Sequence, residues 1–158
     1  MSLESVKEHL KRFNADDKII VLGQSSATVD EAAEALGVIP ARIAKTLSFK
    51  TKEGAMLIVA AGDTKIDNKK YKAEFGLKAK MLTADEVQAY TGHEIGGVCP
   101  FGLAENLPIY LDESMKRFGT LFPACGSRNS AIELSCGEIE AFSGAVRWVD
   151  VCQLAAYV

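Results

Sequence analysis

Three residues in the sequence have side chains that could take part in catalysis. Cys99 lies in a loop rich in glycine and proline, where its thiol could act as a nucleophile if a base or a helix N-terminus lowered its pKa. His93 is the nearest candidate base along the chain, although a structural role is the commoner one for such a histidine. Lys45 lies between a predicted short helix and a predicted strand, where its ammonium could anchor a phosphate or carboxylate, or could simply be solvated.

Two loops could bind a ligand through main-chain groups alone. The first, residues 92–102, contains four glycines and one proline. Its backbone N–H groups could bind an oxyanion, a hydroxyl or a water without any charged side chain. The second, residues 124–130 (Ala-Cys-Gly-Ser-Arg-Asn-Ser), lies between two predicted strands and is rich in turn residues. Each loop could equally be an ordinary connection between two elements.

The motifs of several large enzyme classes are absent from the sequence. It contains neither the H-E-x-x-H motif of zinc proteases nor the glycine-rich motifs that bind nucleotide phosphates and dinucleotides. The G-x-S-x-G motif of serine hydrolases is also missing. The four cysteines and two histidines lack the spacing of a zinc site. We therefore expect a function that uses no metal and no cofactor.

Local patterns predict the helices and strands that must position these residues. Leu3, Val6 and Leu10 form one apolar stripe, which predicts an amphipathic helix at the start of the chain, with His9 solvated on its polar side. Capping residues and terminal glycines predict further helices near 29–36, 67–75, 83–92 and 138–143. Short apolar and β-branched runs predict strands at 18–22, 45–50, 55–61, 78–82, 108–111, 120–125, 131–135 and 146–151.

The order of these elements predicts the fold class. The strands outnumber the long helices and do not alternate with them in regular βαβ units, which favours an α+β fold. The sequence has no linker-like stretch and no internal repeat. We therefore expect one domain over residues 1–158, in which helices surround a mixed β-sheet or a partly closed barrel.

The charge of the chain is distributed unevenly. Its 18 Lys and Arg against 21 Asp and Glu give a net charge of −3, which argues against indiscriminate binding to nucleic acid. Residues 41–80, however, contain ten basic and four acidic residues, so this segment carries +6 and the rest of the chain −9. Such a segment could steer a polyanion to one face of the protein, or its lysines could simply be solvated.

Signals for export or membrane insertion are absent from the sequence. The N-terminus lacks the apolar core of a signal peptide, and no apolar run approaches the roughly 18 residues that cross a bilayer. The four cysteines form no C-x-x-C pair. We therefore expect a cytoplasmic protein with free thiols and no membrane partner, and the sequence leaves its oligomeric state open.

Four segments, taken together, carry a resemblance to a known family. They are, in chain order, Ile43–Phe49, Gly62–Asp67, Gly92–Gly102 and Gly126–Asn129. In this order they resemble the stand-alone aminoacyl-tRNA deacylases of the YbaK type, which are related to the editing domain inserted in bacterial prolyl-tRNA synthetases. The resemblance extends over nearly the whole chain. Its most specific part is the combination of the segment around Lys45 with the loop from Gly96 to Pro100.

The resemblance implies a function and a set of site residues. Members of this family hydrolyse the ester that joins a wrong amino acid to the 3′ end of a tRNA, and they rely on positioning rather than on a side-chain nucleophile. The implied partner is therefore the acceptor end of a mischarged tRNA, with an aminoacyl-tRNA synthetase as a further candidate. The residues implied in catalysis are Lys45, Gly96 and Pro100. Those implied in substrate binding are Thr46, Gly97, Val98, Cys99, Gly126, Ser127 and Asn129, and those proposed to contact tRNA phosphates are Lys65, Lys69 and Lys70.

Two positions depart from the family pattern. Cys99 stands where related sequences often have serine or another small residue, and Ala131 stands where the subgroup that removes cysteine has an acidic residue. The second departure favours alanine, serine, threonine or another small residue over cysteine as the amino acid removed. Two alternatives remain open: a catalytically inactive module of the same fold that binds tRNA or a synthetase, and an unrelated hydrolase that uses Cys99.

Overall fold

Four of the five α-helices in the described residues begin and end at residues that cap them. The computed structural model of the protein describes residues 2–155, and its helices are α1 (Ser2–Lys11), α2 (Val29–Leu36), α3 (Asn68–Phe75), α4 (Ala84–Thr91) and α5 (Cys136–Ser143). Thr83 and Ser135 form complete capping boxes at the starts of α4 and α5. Helices α2 to α5 each end at a glycine with a left-handed backbone. The predicted helices are therefore confirmed.

The strands of the described residues form three sheets. They are β1 (Ile20–Val21), β2 (Ile43–Lys50), β3 (Ala55–Ala61), β4 (Thr64–Ile66), β5 (Ile109–Asp112), β6 (Phe122–Pro123), β7 (Ser130–Ala131), β8 (Arg147–Val149) and β9 (Cys152–Leu154). The main sheet has the order β6-β2-β3-β5-β8, in which β2 and β3 are antiparallel and the other neighbours are parallel. Strand β1 pairs with β7, and β4 pairs with β9. The predicted α+β class is confirmed, with a mixed sheet rather than a partly closed barrel.

The central strand β3 separates the core into two layers. Leu57 and Val59 face one layer, which also contains apolar residues of α1, α4 and α5. Ile58 and Ala60 face the other layer, where Tyr71 of α3 is buried. Successive side chains of a strand point to opposite faces, so a strand covered on both sides is apolar throughout. All seven residues of β3 are buried for this reason.

Several strand predictions are wrong or too long. Residues 78–82 form no strand, and Met81 makes only an isolated bridge to Phe49. The runs at 18–22, 120–125, 131–135 and 146–151 contain or overlap strands of only two or three residues, β1, β6, β7 and β8. Strands β4 and β9 are absent from the predictions. Strand formation depends on a pairing partner that is distant along the chain, and local composition does not reveal that partner.

Candidate active site

A cavity lies where strands β2 and β6 separate. Strand β6 pairs with β2 only at Ile43 and Ala44, and the two strands diverge beyond this point. The cavity has a volume of about 210 Å³. Predicted site residues from two distant segments line it, namely Lys45, Thr46, Gly96 and Val98. The fold thus brings the Lys45 segment and the first glycine-rich loop together.

Small side chains form much of the cavity wall. The alanines that line it are Ala27, Ala32, Ala44, Ala124 and Ala131. Met81 and Ile95 also line it, and they are 56% and 51% exposed, so they border its opening. Pockets that enclose drug-sized ligands usually measure about 300–1,000 Å³. The smaller volume here is suited to a small chemical group, with the rest of any larger ligand lying outside.

Lys45 is one of the residues that line this cavity, and its ammonium group is partly buried. Its Nζ donates a hydrogen bond to the carbonyl oxygen of Thr64 in β4. Burial lowers the pKa of Lys45, and the nearby carboxylate of Asp63 acts in the opposite direction. Asp63 is itself held by Arg117, whose Nη2 lies 2.6 Å from Oδ1 of the carboxylate. An ammonium has three N–H donors, so Lys45 can bind a phosphate or carboxylate oxygen while it keeps the bond to Thr64.

The two loops identified from the sequence are held against each other. The N–H of Gly126 donates to the carbonyl oxygen of Gly97 at 2.9 Å. A Cβ on Gly97 would lie 2.6 Å from the carbonyl carbon of Gly126 and from the backbone nitrogen of Ser127, so the loops can approach this closely only with glycine there. The neighbouring Gly96 has a φ of +95° and packs against Ala27. Because Gly96 is next to Gly97 in the chain, this contact between the loops also restrains the position of the Gly96 backbone at the cavity.

Ser127 and Asn129 stabilise the second loop rather than lining the cavity. Oγ of Ser127 lies 2.6 Å from Oγ of Ser130 and 3.0 Å from Oδ1 of Asn129. Nδ2 of Asn129 donates to the carbonyl oxygen of Leu22 at 3.1 Å, which ties the loop to the end of β1. The residues predicted for catalysis and substrate binding that are not part of the lining are Gly97, Cys99, Pro100, Gly126, Ser127 and Asn129.

Several cavity residues were not identified from the sequence. Ser48 lines the cavity two residues after Thr46, and the alternation of side chains along a strand could have identified it. The other unpredicted lining residues include Ser26, Thr28, Val29, Met81, Leu82, Val87, Ile95 and Phe122. These residues come from segments that are far apart along the chain, so no local signal marks them as neighbours.

Cys99 is fully buried and is unsuited to act as a nucleophile. Burial raises the pKa of its thiol to about 12. Nε2 of His93 lies 2.7 Å from the carbonyl oxygen of Phe101 and 3.6 Å from Sγ of Cys99. Because a carbonyl oxygen only accepts hydrogen bonds, Nε2 carries the proton and cannot take one from the thiol. The geometry therefore argues against a hydrolase based on Cys99 and gives His93 a structural role.

His9 joins α1 to two other parts of the chain, so the prediction that it is solvated is wrong. Its Nε2 donates to the carbonyl oxygen of Phe142 in α5 at 2.6 Å, and its Nδ1 accepts from the N–H of Gly102 at 3.1 Å. Burial lowers the pKa of His9, which favours the neutral ring that this pattern requires. Pro100 lies next to His9 on a separate surface depression, away from the 210 Å³ cavity.

The lysines proposed to contact tRNA lie on β4 and α3. Lys65 and Lys69 are exposed and take part in no ion pair with another described residue. Nζ of Lys70 instead donates to Oδ1 of Asp150 and to the carbonyl oxygen of Cys152, both at 3.0 Å. The hydrogen bond with Asp150 raises the pKa of Lys70. Lys65 and Lys69 are thus available to a ligand, whereas Lys70 links α3 to β9.

Residues 2–155 contain neither a candidate metal site nor a membrane-spanning helix. No group of three or more His, Cys, Asp or Glu in this range could hold a metal ion. None of the helices there is both long and apolar enough to cross a membrane. All four cysteines are free thiols.

The sequence matches the model of the aminoacyl-tRNA editing domain over residues 24–142, so the chain belongs to this family. It is 56% identical over 154 residues to "Uncharacterized protein YwhH" of Bacillus subtilis (strain 168), covering 97% of this chain and 98% of that protein. It is 34% identical over 110 residues to "Putative Cys-tRNA(Pro)/Cys-tRNA(Cys) deacylase EbsC" of Enterococcus faecalis, and the match covers 68% of this chain and 67% of that protein. The proline–tRNA ligase of Thermotoga maritima is 32% identical over 77 residues, which are 48% of this chain but only 13% of that much longer protein.

Solved structures share this fold over nearly the whole chain. One, described as "a putative trans-editing enzyme for prolyl tRNA synthetase", superposes with a TM-score of 0.87 at 31% identity and covers 96% of this chain and 97% of its own. Another, "hypothetical protein APE2540", gives a TM-score of 0.83 at 28% identity, and the superposition covers 94% of this chain and 99% of that protein. The resemblance inferred from the sequence motifs is therefore confirmed at the level of the family and of the fold.

Proposed function

We propose that this protein is a stand-alone aminoacyl-tRNA deacylase that hydrolyses the ester of a tRNA mischarged with a small amino acid. The observation that carries the proposal is the cavity of about 210 Å³ with several alanines in its wall, which is smaller than the pockets that enclose drug-sized ligands. Membership of the editing-domain family supports the class of reaction. Two relatives whose descriptions name a deacylase and a trans-editing enzyme support it further.

Lys45 and the first glycine-rich loop are the groups proposed to hold the acceptor end. The N–H donors of Lys45 that do not bind Thr64 can bind a phosphate of the terminal nucleotide. The backbone of the loop, held by the contact between Gly97 and Gly126, can orient the ester and the attacking water. Beyond the cavity, the exposed Lys65 and Lys69 are proposed to contact phosphates of the acceptor stem.

The proposed reaction needs no covalent intermediate with the enzyme. The oxygen of a water molecule adds to the carbonyl carbon of the ester, and the bond from that carbon to the ribose oxygen then breaks. A proton from the water is transferred to the ribose oxygen, so the products are the free amino acid and a tRNA with its terminal hydroxyl restored. Positioning the water and stabilising the negative charge on the carbonyl oxygen supply the acceleration.

Ala131 is the residue from which we infer the chemistry of the amino acid removed. Ala131 lines the cavity, and the resemblance to the family implies an acidic residue at this position in the subgroup that removes cysteine. The methyl side chains of the lining alanines leave room for the side chain of alanine, serine, threonine or another small amino acid. Discrimination among such similar side chains by a pocket amounts to only about 1–3 kcal/mol, so we expect overlapping activities rather than a single substrate.

A panel of mischarged tRNAs tests the proposed function. One tRNA is charged in turn with amino acids of increasing size, and release of each amino acid is followed with wild-type protein and with Ala131→Leu. We expect rapid release of small amino acids by the wild type and loss of that activity in the variant, because the larger side chain fills the cavity. Gly119→Ala is the control, since a Cβ there has no atom within 4 Å. Binding of every charged tRNA without any release would identify a catalytically inactive module instead.

A further inference from the structure

The direction of hydrogen bonding alternates along β2. At the end of the β2–β3 hairpin, the N–H of Thr51 donates to the carbonyl oxygen of Gly54 at 3.0 Å. In an antiparallel pair, residues bonded in this way alternate with residues whose N–H and C=O point away from the partner strand. Positions 45, 47 and 49 therefore bond to β3. The backbone groups of positions 44, 46, 48 and 50 point to the outer edge of β2.

Neighbouring segments pair with this outer edge on both sides of Thr46 but not at Thr46 itself. On one side, β6 pairs with Ile43 and Ala44. On the other side, the N–H of Leu82 donates to the carbonyl oxygen of Ser48 at 3.1 Å. Within residues 2–155, no hydrogen bond engages the outward N–H and C=O of Thr46. Both groups belong to Thr46, which is one of the residues that line the cavity.

The side chain of Thr46 is an independent observation at the same place. Its Oγ1 is buried and has no hydrogen-bond partner among the described residues. Buried hydroxyl groups are nearly always paired in folded proteins, because an unpaired one loses its bonds to water and gains nothing in return. Thr46 therefore presents a donor, an acceptor and a hydroxyl at the edge of one small cavity.

We propose that Thr46 binds the aminoacyl group of the substrate as a one-residue extension of the sheet. This inference rests on the proposed function and specifies how the same site holds its ligand. An aminoacyl ester carries an α-ammonium donor and a carbonyl acceptor on either side of one Cα, as a residue in a strand does. The ammonium donates to the carbonyl oxygen of Thr46, and the N–H of Thr46 donates to the carbonyl oxygen of the ester.

This pairing also determines where the substrate's side chain lies. Two residues directly opposite each other in an antiparallel pair have their side chains on the same face of the sheet. The side chain of an L-amino acid therefore lies beside that of Thr46, in the cavity that the alanines line. The N–H of Thr46 is at the same time aimed at the oxygen that becomes negatively charged when water adds to the ester.

The first test changes the substrate and leaves the protein intact. L-Alanyl and propionyl esters of the same tRNA differ only in the α-amine, and each enzymatic rate is divided by the spontaneous hydrolysis rate of that ester. We expect the acceleration to fall at least about tenfold for the propionyl ester, because a hydrogen bond to a charged group is lost. Equal acceleration of the two esters overturns the inference while leaving the deacylase function standing. No hydrolysis of any aminoacyl ester overturns both.

The second test removes the backbone N–H of position 46. Replacing Thr46 by its α-hydroxy acid analogue converts that amide into an ester, and the same change at Leu47 is the matched control. For L-alanyl-tRNA we expect kcat/KM to fall about 100-fold with the Thr46 analogue, the usual effect of losing one donor to an oxyanion. The melting temperature should fall more for the Leu47 analogue, because its N–H bonds to β3. Unchanged kcat/KM with the Thr46 analogue overturns the inference.

Discussion

The substitution Gly97→Ala shows what the contact between the two loops contributes to the fold and the site. A Cβ at this position would lie 2.6 Å from the carbonyl carbon of Gly126 and from the nitrogen of Ser127, and 2.9 Å from the oxygen of Gly126. All three are main-chain atoms, so no side-chain rotation can relieve the overlap, and the loops must move apart. That movement also breaks the 2.9 Å hydrogen bond from Gly126 to Gly97.

Two effects set the expected loss of stability. Overpacking of a tightly packed position costs about 1–3 kcal/mol. Loss of one hydrogen bond between backbone groups adds about 1 kcal/mol. The free energy of unfolding should therefore fall by about 2–4 kcal/mol. For a chain of 158 residues this corresponds to a fall of about 5–15 °C in the melting temperature.

Thermal unfolding and deacylation are measured on the same preparations of wild type, Gly97→Ala and the control Gly119→Ala. Gly119 has no atom within 4 Å of an added Cβ, so its variant should match the wild type in both assays. For Gly97→Ala we also expect kcat/KM to fall about 100-fold, because displacing the loop by roughly 1 Å misplaces the groups that orient the ester. A melting temperature within about 1 °C of the wild type would refute the steric reasoning.

Three further predictions follow from the site and its surroundings. Lys45→Ala should abolish most deacylation while circular dichroism stays unchanged; wild-type turnover would remove Lys45 from the site. Lys69→Glu should weaken tRNA binding most at low salt, and Lys7→Glu, the same charge change outside the basic segment, should have a smaller effect. Burial lowers the pKa values of His9 and His93 below the ordinary value of 6.5. The unfolded chain therefore binds more protons, and the free energy of unfolding should fall as pH drops below about 6.5. Denaturant titrations of wild type and His9→Asn measure this slope, and equal slopes would contradict the contribution of His9.

The helices and the central hairpin could be predicted because their signals are local. Thr83 and Ser135 bond to groups only three residues away, so each capping box is complete within one helical turn. The β2–β3 hairpin follows from two apolar runs joined by a four-residue loop ending in Gly54. The run at 78–82 has the same local pattern as a strand. It contacts the edge of β2 only through residues 80–82, and this short contact forms an isolated bridge rather than a strand.

The candidate site was predictable only in part. The family motifs identified Lys45, Thr46, Gly96 and Val98, and all four line the cavity. The same motifs also contain Pro100, which the structure places at a different depression. A motif marks residues that are close along the chain, whereas the direction in which each loop residue points is set by packing against distant segments.

By itself, the sequence determined the family, the helices, the central hairpin and the composition of the two glycine-containing loops. Only the tertiary structure decided that β6 leaves β2 after Ala44, so that a cavity forms and the backbone of Thr46 is left unpaired at its edge. It also decided that Cys99 is buried and that His9 connects two segments. The physical reason is the range of the interactions. Helix caps and tight turns bond residues a few positions apart, whereas burial and strand pairing depend on contacts such as that between Ile43 and Phe122.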